Sequence, residues 1–167
     1  MPDLDDHRSD TPAQPADTPP GNAAWHGELR HSPAGSLGHD TAQTPGMTRL
    51  EAISGARSRS TDLWMGETHV AGGVRSADHH HGESETGIYV VAGQPVFVFL
   101  EDGVERRIET GPGDYVYVPP YVPHREENPA DGEAVVVIAR TTQEAIVVNL
   151  LSLDGPPAGR TPTPSVE

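Results

Sequence analysis

The 167-residue sequence contains no cysteine and no lysine. The absence of cysteine excludes disulfide bonds, thiol nucleophiles, cysteine-bound zinc and iron–sulfur clusters. All 11 basic residues are arginine, which excludes lysine Schiff-base chemistry and the lysine of phosphate-binding loops. The side chains left for chemistry are histidine, aspartate, glutamate, tyrosine, serine and threonine, alone or with a metal ion.

Positive charge is also scarce, because 25 acidic residues stand against those 11 arginines and give a net charge of −14. Such a chain repels phosphate backbones and anionic lipid surfaces, so we expect no nucleic-acid and no membrane partner. The N-terminus is acidic, where a secretory signal needs positive charge. Apolar runs are far shorter than the roughly 20 residues of a spanning helix. We therefore expect a cytoplasmic protein whose partners are small molecules.

The composition divides the chain into three parts. Residues 1–46 hold 7 of the 17 prolines and show no apolar periodicity, which predicts a disordered, proline-rich acidic tail. Residues 154–167 have the same character and predict a second disordered tail. The stretch 47–153 remains as one domain of ordinary size. Met47 stands at the boundary, so one hypothesis is that translation starts there.

The pattern of apolar residues in the central part is that of β-strands, with almost no helical period. The predicted strands are residues 63–70, 87–91, 96–100, 104–109, 114–118, 134–140 and 145–151. The pair Asp102-Gly103 predicts a tight hairpin turn. Several strands are apolar on both faces, which is typical of a sandwich or small barrel partly buried against a partner. The predicted fold class is all-β, a single antiparallel β-barrel or jelly roll, assembled as a homodimer.

A run of three histidines is the most informative local feature. On an extended backbone His79 and His81 point to the same face, whereas His80 points away. Glu85 adds a carboxylate a few residues later. The competing interpretation is a solvated acidic loop that contains histidines by chance.

A second segment, residues 113–128, runs from a predicted strand into a proline-rich corner. It ends with a single histidine, His124, directly after Pro123. Because Pro123 fixes the backbone directly before His124, the direction of the His124 ring is restricted.

Together the two segments resemble the paired signatures of the cupin superfamily, G(X)5HXH(X)3,4E(X)6G and G(X)5PXG(X)2H(X)3N. The matching residues are Gly73, His79, His81, Glu85 and Gly93 in the first, and Gly113, Pro119, His124 and Asn128 in the second. The resemblance covers about residues 63–151 and is greatest to the small single-domain cupins, or monocupins, common in actinobacteria.

The sequence departs from those signatures at two places. Seven residues separate Glu85 from Gly93 where the family has six, so either a one-residue bulge follows or the carboxylate is displaced. Counting back from Gly93 places Thr86, a poor ligand, at the carboxylate position. Tyr121 stands where the family usually has glycine.

The resemblance implies that His79, His81, Glu85 and His124 bind one divalent transition metal. Imidazole and carboxylate ligands do not distinguish iron, manganese, zinc, nickel and copper. The other nitrogen of each histidine is expected to have a carboxylate or carbonyl partner, for which Glu83, Glu126 and Glu127 are candidates. Tyr89 and Tyr121 are candidates for the cavity wall.

Three functions follow from such a centre. The first is a metal-dependent enzyme acting on a small organic molecule, either a dioxygenase or an isomerase or cyclase. The second is a non-catalytic module that binds or senses a small ligand. The third is a structural metal that only stabilises the barrel. The sequence contains no G-x-S-x-G nucleophile motif, which disfavours covalent acyl transfer.

Overall fold

The computed structural model describes residues 28–41, 43–143 and 146–155. Within them the chain forms ten strands. In order these are β1 (Met47–Ile53), β2 (Trp64–Val70), β3 (His79–His80), β4 (Thr86–Ala92), β5 (Val96–Glu101), β6 (Val104–Glu109), β7 (Tyr115–Val118), β8 (His124–Glu127), β9 (Ala134–Arg140) and β10 (Val148–Asn149). The helical content is one turn of α-helix, α1 (Gly55–Ser58), and a 3-10 turn at Ala34–Ser36. None of the helices in these ranges has the length and apolar character needed to cross a membrane.

The strands form two five-stranded sheets. The first has the order β1-β2-β9-β4-β7 and the second the order β10-β3-β8-β5-β6, with antiparallel pairing throughout. The predicted all-β antiparallel fold is therefore confirmed.

Six predicted strands match β2, β4, β5, β6, β7 and β9 within two residues. The seventh, 145–151, contains only the short β10, and residues 144–145 lie outside the described ranges. The apolar pattern does not predict β3 and β8, because they consist of histidine and charged residues. It also misses β1, in which threonine, arginine and glutamate interrupt the apolar residues.

The core lies between the two sheets. Strands β2 and β9 alternate strictly between buried and half-buried residues, as expected when one face of a sheet covers a core. The main buried cluster comprises Trp64, Ile88, Val90, Phe97, Val118, Val136 and Ile138. Full burial of such a side chain stabilises the fold by about 1.5–3 kcal/mol, so this cluster holds the two sheets together.

One row of inward-facing residues crosses four strands of the first sheet. Trp64 on β2 pairs with Arg140 on β9, Arg140 pairs with Thr86 on β4, and Thr86 pairs with Val118 on β7. All four residues are buried. We call this set the Trp64–Val118 row.

The predicted hairpin between β5 and β6 is present. Asp102 and Gly103 both have positive φ, at 52° and 76°, and Glu101 pairs with Val104 across the turn. Two consecutive positive φ angles are what a two-residue hairpin requires.

Part of the segment before β1, expected to be disordered, contacts the domain. Gly38 pairs with Glu51, and the side chain of Gln43 exchanges two hydrogen bonds with the backbone of Arg49. These contacts supply partners to β1, the edge strand of the first sheet. They depend on backbone and polar groups, which apolar periodicity does not reveal. Residues 1–27 and 156–167 of the expected tails lie outside the described ranges.

Candidate metal centre

Three histidines come together because β3 and β8 are antiparallel neighbours. His79 on β3 is directly paired with His124 on β8, and their ring centroids are 4.5 Å apart. The ring of His81, just after β3, lies 5.0 Å from that of His79 and 4.9 Å from that of His124. All three residues are buried.

A buried carboxylate completes this group. Glu126 lies two residues beyond His124 on β8, and since strand side chains alternate, both face the same side. One ligand atom from each of His79, His81, His124 and Glu126 lies within 4.8 Å of the others. We call these four residues the histidine–Glu126 cluster. Its donor atoms are close enough to share one ion.

The backbone orients the three imidazoles. Nδ1 of His79 donates to the carbonyl oxygen of Ala77 at 2.8 Å. Nδ1 of His81 donates to the carbonyl oxygen of Ile146 at 3.0 Å, and Nδ1 of His124 to that of Val122 at 2.9 Å. An Nδ1 that donates to a carbonyl keeps the proton there, which leaves the Nε2 lone pair available for a metal.

The cluster contains unsatisfied buried atoms that a metal would explain. Nε2 of His79 and Nε2 of His124 are buried and have no hydrogen-bond partner within the described part of the chain. A buried polar atom without a partner costs about 1–3 kcal/mol, and such atoms are rare in native proteins. The donor set therefore fits a divalent transition metal.

The protonation states also suit metal binding. Burial, together with the nearby His124 and His79, lowers the pKa of His81 to about 3. Burial and His79 lower the pKa of His124 as well. Burial by itself raises the pKa of Glu126, but His79, His124 and Arg49 outweigh it, so that this pKa lies below its ordinary value. At neutral pH His81 and His124 are neutral and Glu126 is ionised, as metal coordination requires.

The structure does not bring Glu85 to this cluster. Thr86 is buried at the start of β4, and strand alternation turns the preceding Glu85 outward, where it accepts a 2.8 Å hydrogen bond from the Tyr117 hydroxyl. A bulge does occur in β4, but between Val90 and Ala92, which leaves the direction of Glu85 unchanged. The clustered carboxylate is Glu126, which the sequence analysis named only as a candidate outer partner of the histidines. The two-residue spacing from His124 is the signal that could have identified it.

The other proposed outer partners have different contacts. Glu127 binds Arg125 at 2.7 Å and Arg107 at 2.8 Å, and Glu83 is exposed. The carbonyl oxygens described above take the role expected of these carboxylates. Arg125 also binds Glu105 at 2.9 Å, so an ion-pair network on the outer face of β8 fixes the strand that carries His124 and Glu126.

An apolar cavity of about 320 Å³ lies beside the cluster. His124 forms part of its wall, and the inward apolar residues of the wall are Phe97, Phe99, Val116, Val118 and Val122. Neither tyrosine expected in the cavity contributes to this wall. Tyr89 packs against Tyr115 on the outer face of the first sheet, at 4.8 Å. Tyr121 is exposed.

The backbone of Tyr121 has the conformation expected of the glycine that it replaces. Its φ is +61°, in the left-handed region that glycine adopts without strain. The amide nitrogen of Tyr121 donates to the carbonyl of Gly82 at 2.7 Å, and its ring lies 5.9 Å from His80. The corner therefore keeps a glycine-like backbone although it carries a tyrosine.

A second opening of about 420 Å³ reaches the cluster from the opposite edge of the two sheets. Its wall includes His79, Arg49, Arg75 and Asn149. Arg49 is buried, and its Nη1 donates to Thr44 Oγ1 at 3.0 Å. The two arginines in its wall make this opening cationic, in contrast to the apolar cavity beside His124.

Residues 66–140 match the family model of the cupin domain. The chain is a member of the cupin superfamily. The match spans strands β2 to β9, including both segments that carry the clustered histidines. No curated protein sequence matches this cupin.

Solved structures share its fold. An oxalate oxidase in complex with glycolate is 19% identical, with a TM-score of 0.56 over 66% of this cupin and 59% of that chain. Oxalate decarboxylase of Bacillus subtilis, studied for its Mn(II) centres, is 22% identical, with a TM-score of 0.57 over 66% and 29% of the two chains. The polyketide cyclase RemF from Streptomyces resistomycificus is 20% identical, with a TM-score of 0.63 over 77% and 90%.

This cupin spans less than two thirds of the oxalate oxidase and about 30% of the oxalate decarboxylase, but most of RemF. At these identities the similarity supports the fold, and fold alone does not determine an activity.

Proposed function

We propose that this cupin is a metal-dependent enzyme that acts on a small organic molecule, with His79, His81, His124 and Glu126 as the metal ligands. The observation that carries the proposal is the pair of buried, unpartnered Nε2 atoms in a cluster whose ligand atoms lie within 4.8 Å of one another and include a buried carboxylate. A divalent ion held there would supply Lewis-acid polarisation of a substrate oxygen or, if redox-active, dioxygen chemistry.

The cavity beside His124 supports dioxygenation as the reaction class. Its titratable wall residues are His124 and Tyr117. A hydrogen bond to Glu85 raises the pKa of the exposed Tyr117 phenol, which keeps it protonated at neutral pH. The wall therefore offers little general acid–base chemistry, and most of its side chains are apolar. A dioxygenase depends mainly on the metal and on substrate placement, and so suits this cavity best.

A second candidate is cyclisation or isomerisation. The similarity to RemF supports it, because it extends over 90% of that cyclase and thus matches its size as well as its fold. A non-catalytic cupin that binds or senses a small ligand is the alternative outside enzymology. Oxygen uptake distinguishes a dioxygenase from the other two candidates. Substrate turnover without oxygen distinguishes a cyclase or isomerase from a non-catalytic binding protein.

We further propose a homodimer formed through the outer face of the first sheet. Tyr89, Val91 and Tyr115 are exposed there, next to the half-buried Met65 and Val137, around an apolar groove of about 410 Å³. Tyrosine and methionine are enriched in interfaces, and a contiguous apolar surface on a soluble protein marks an interaction site. We expect the protein to reside in the cytoplasm.

The proposed enzyme is tested by measuring metal content and oxygen uptake together. Protein purified without chelator or affinity metal is analysed by plasma mass spectrometry, alongside the His79→Ala variant and a His39→Ala control outside the cluster. We expect about one transition-metal ion per chain in wild type and control, and little in His79→Ala. Oxygen uptake is then followed with a panel of aromatic and enolic compounds. Full metal content in His79→Ala would refute the metal centre.

A further inference from the structure

A buried arginine lies inside the fold without an acidic partner. Arg140 is the last residue of β9, faces the interior and is 4% exposed. Its guanidinium carbon lies 4.2 Å from the centre of the Trp64 ring, a cation–π contact that fixes the plane of the group. Its Nε and Nη2 atoms are buried and have no hydrogen-bond partner among the described residues. No carboxylate of those residues lies within ion-pair distance of it.

The unpartnered atoms are the two nitrogens on one edge of the guanidinium. This edge presents two parallel N–H groups with the spacing of the two oxygens of a carboxylate. Burial and the nearby Arg49 lower the pKa of Arg140 to about 10, so the group is charged at neutral pH. A buried charge without a partner is strongly unfavourable, which suggests that a ligand supplies the missing oxygens.

A second unpartnered donor stands beside it. Thr86 is the direct cross-strand neighbour of Arg140 in the Trp64–Val118 row. Its Oγ1 is buried and also lacks a partner among the described residues. Counted back from Gly93, Thr86 occupies the carboxylate position of the family signature. A neutral hydroxyl donor therefore stands where the signature has an anionic ligand.

The row connects these donors to the apolar cavity. Val118, the neighbour of Thr86 on β7, lines that cavity, and His124 lines it as well. With strands about 4.8 Å apart, Arg140 and Val118 are separated by about 10 Å along the row. Neither Thr86 nor Arg140 lines that cavity, and their unpartnered atoms are buried, so a molecule that lies near His124 can contact them only if the side chain of Val118 moves aside.

The interior charge also favours an anion. The charged residues facing the space between the sheets are Arg49 and Arg140, opposed by Glu51 and Glu126. The carboxylate of Glu51 accepts a hydrogen bond from Ser54. These four charges cancel, so a divalent ion on the histidine–Glu126 cluster leaves the interior with a positive excess.

We propose that Arg140 and Thr86 form a carboxylate-binding subsite, and that the substrate is a small apolar carboxylic acid of about one aromatic ring. Its carboxylate binds the Nε–Nη2 edge of Arg140 and the hydroxyl of Thr86. Its apolar part lies against Phe97, Phe99 and Val122. The role as substrate rests on the proposed function, whereas the subsite itself consists of protein groups only.

Benzoate binding to the full-length chain tests this subsite without measuring activity. Trp64 lies against Arg140 and reports binding through its fluorescence. The chain has two tryptophans, so a Trp25→Phe background isolates the signal. Benzoate is titrated into the Zn(II)-loaded protein and again after dialysis against chelator. Benzamide serves as the neutral probe of the same shape.

We expect saturable benzoate binding and at least about tenfold weaker binding of benzamide, because a charge-assisted bidentate pair is lost. Arg140→Gln should weaken benzoate binding by a similar factor and Thr86→Val by several-fold. Arg106→Gln, an exposed arginine outside the cavity, should bind as wild type does. Arg140→Lys keeps the positive charge but lacks the two parallel N–H groups, so it should also bind benzoate less tightly than the wild type does.

Equal benzoate affinity of folded Arg140→Gln or Arg140→Lys and the wild type would overturn the subsite, as would no benzoate binding to the wild type. Failure of the metal centre is a separate result. If the purified protein holds no metal but chelator-treated protein still binds benzoate through Arg140, the subsite stands and the proposed enzyme fails.

Discussion

His124 and Glu126 lie two residues apart on β8 and face the same interior space, where an imidazole nitrogen and a carboxylate oxygen lie within 4.8 Å of each other. The strand that supplies the histidine of the second cupin signature thus also supplies the carboxylate. The first signature contributes His79 and His81, while its carboxylate, Glu85, faces solvent. We therefore propose that the carboxylate of the metal centre comes from the second signature instead of the first.

Metal should stabilise the folded domain without being needed to form it. The main apolar cluster between the sheets does not include the proposed metal ligands, so chelator-treated protein should stay folded. A ligand present at about a hundred times its dissociation constant adds about 2.7 kcal/mol to the free energy of unfolding. Differential scanning fluorimetry with Mn(II) or Zn(II) should show this as a raised Tm, absent in His124→Ala. Loss of the cooperative transition on chelation would instead indicate a purely structural metal.

The metal-free protein should lose stability in acid. The pKa of His81 is about 3 in the folded state against 6.5 for an ordinary histidine, so between these values the unfolded chain binds more protons than the native one. The contribution of His81 is therefore complete above pH 6.5 and is lost as the pH falls toward 3. The lowered pKa of His124 acts in the same direction.

Urea unfolding of chelator-treated protein at pH 7, 5.5 and 4 checks this acid dependence. The His81→Asn variant, which cannot take up the proton, should lose less stability across the series than the wild type. An identical pH dependence in the two proteins would show that His81 is not held neutral by the fold.

The asparagine of the second signature has a structural role. Asn128 is 1% exposed, and its amide nitrogen donates to the carbonyls of Val70, Ala71 and Gly132 at 3.0, 3.3 and 2.8 Å. Asn128→Ala leaves these buried acceptors short of a donor and should lower the free energy of unfolding by about 1–3 kcal/mol. Denaturant unfolding measures this loss, with the exposed Gln94→Ala as control. An unchanged midpoint would contradict the structural role.

The outer face of the first sheet should mediate dimerisation. Tyr115 is 81% exposed in the single chain and packs against Tyr89, so Tyr115→Glu introduces a charge at the centre of the proposed interface. Light scattering coupled to size-exclusion chromatography should give a dimer for the wild type and a monomer for Tyr115→Glu. Val104→Glu, on the other sheet, should remain dimeric. A monomeric wild type would remove the basis for this interface.

The fold was predictable from sequence wherever a strand contains apolar residues in a continuous run or in alternation. Strand β9 was predicted to the residue, because both of its faces are apolar and valine-rich and its neighbours are turn residues. The Asp102-Gly103 turn was predictable because few other residue pairs adopt two positive φ angles. Strands β3 and β8 were not, since their side chains serve the site and are polar.

The proposed ligand set was only partly predictable from the sequence. Two-residue spacing placed His79 and His81 on one face, and the structure brings His124 to them through the β3–β8 pairing. The fourth position depended on which of Glu85 and Thr86 faces inward, and a shift of one residue reverses every side chain of a strand. Spacing alone did not resolve this, whereas the buried environment of Thr86 does.

The most direct test of the account compares the two carboxylates. Mn(II) or Zn(II) is titrated by calorimetry into chelator-treated wild type, Glu126→Gln and Glu85→Gln. Both substitutions remove one negative charge and keep the size of the side chain, so they differ only in position. We predict that Glu126→Gln weakens metal binding by at least about tenfold, the lower end of the effect of altering groups around a metal, and that Glu85→Gln binds as wild type does. Weak binding by Glu85→Gln together with unchanged binding by Glu126→Gln would contradict the account.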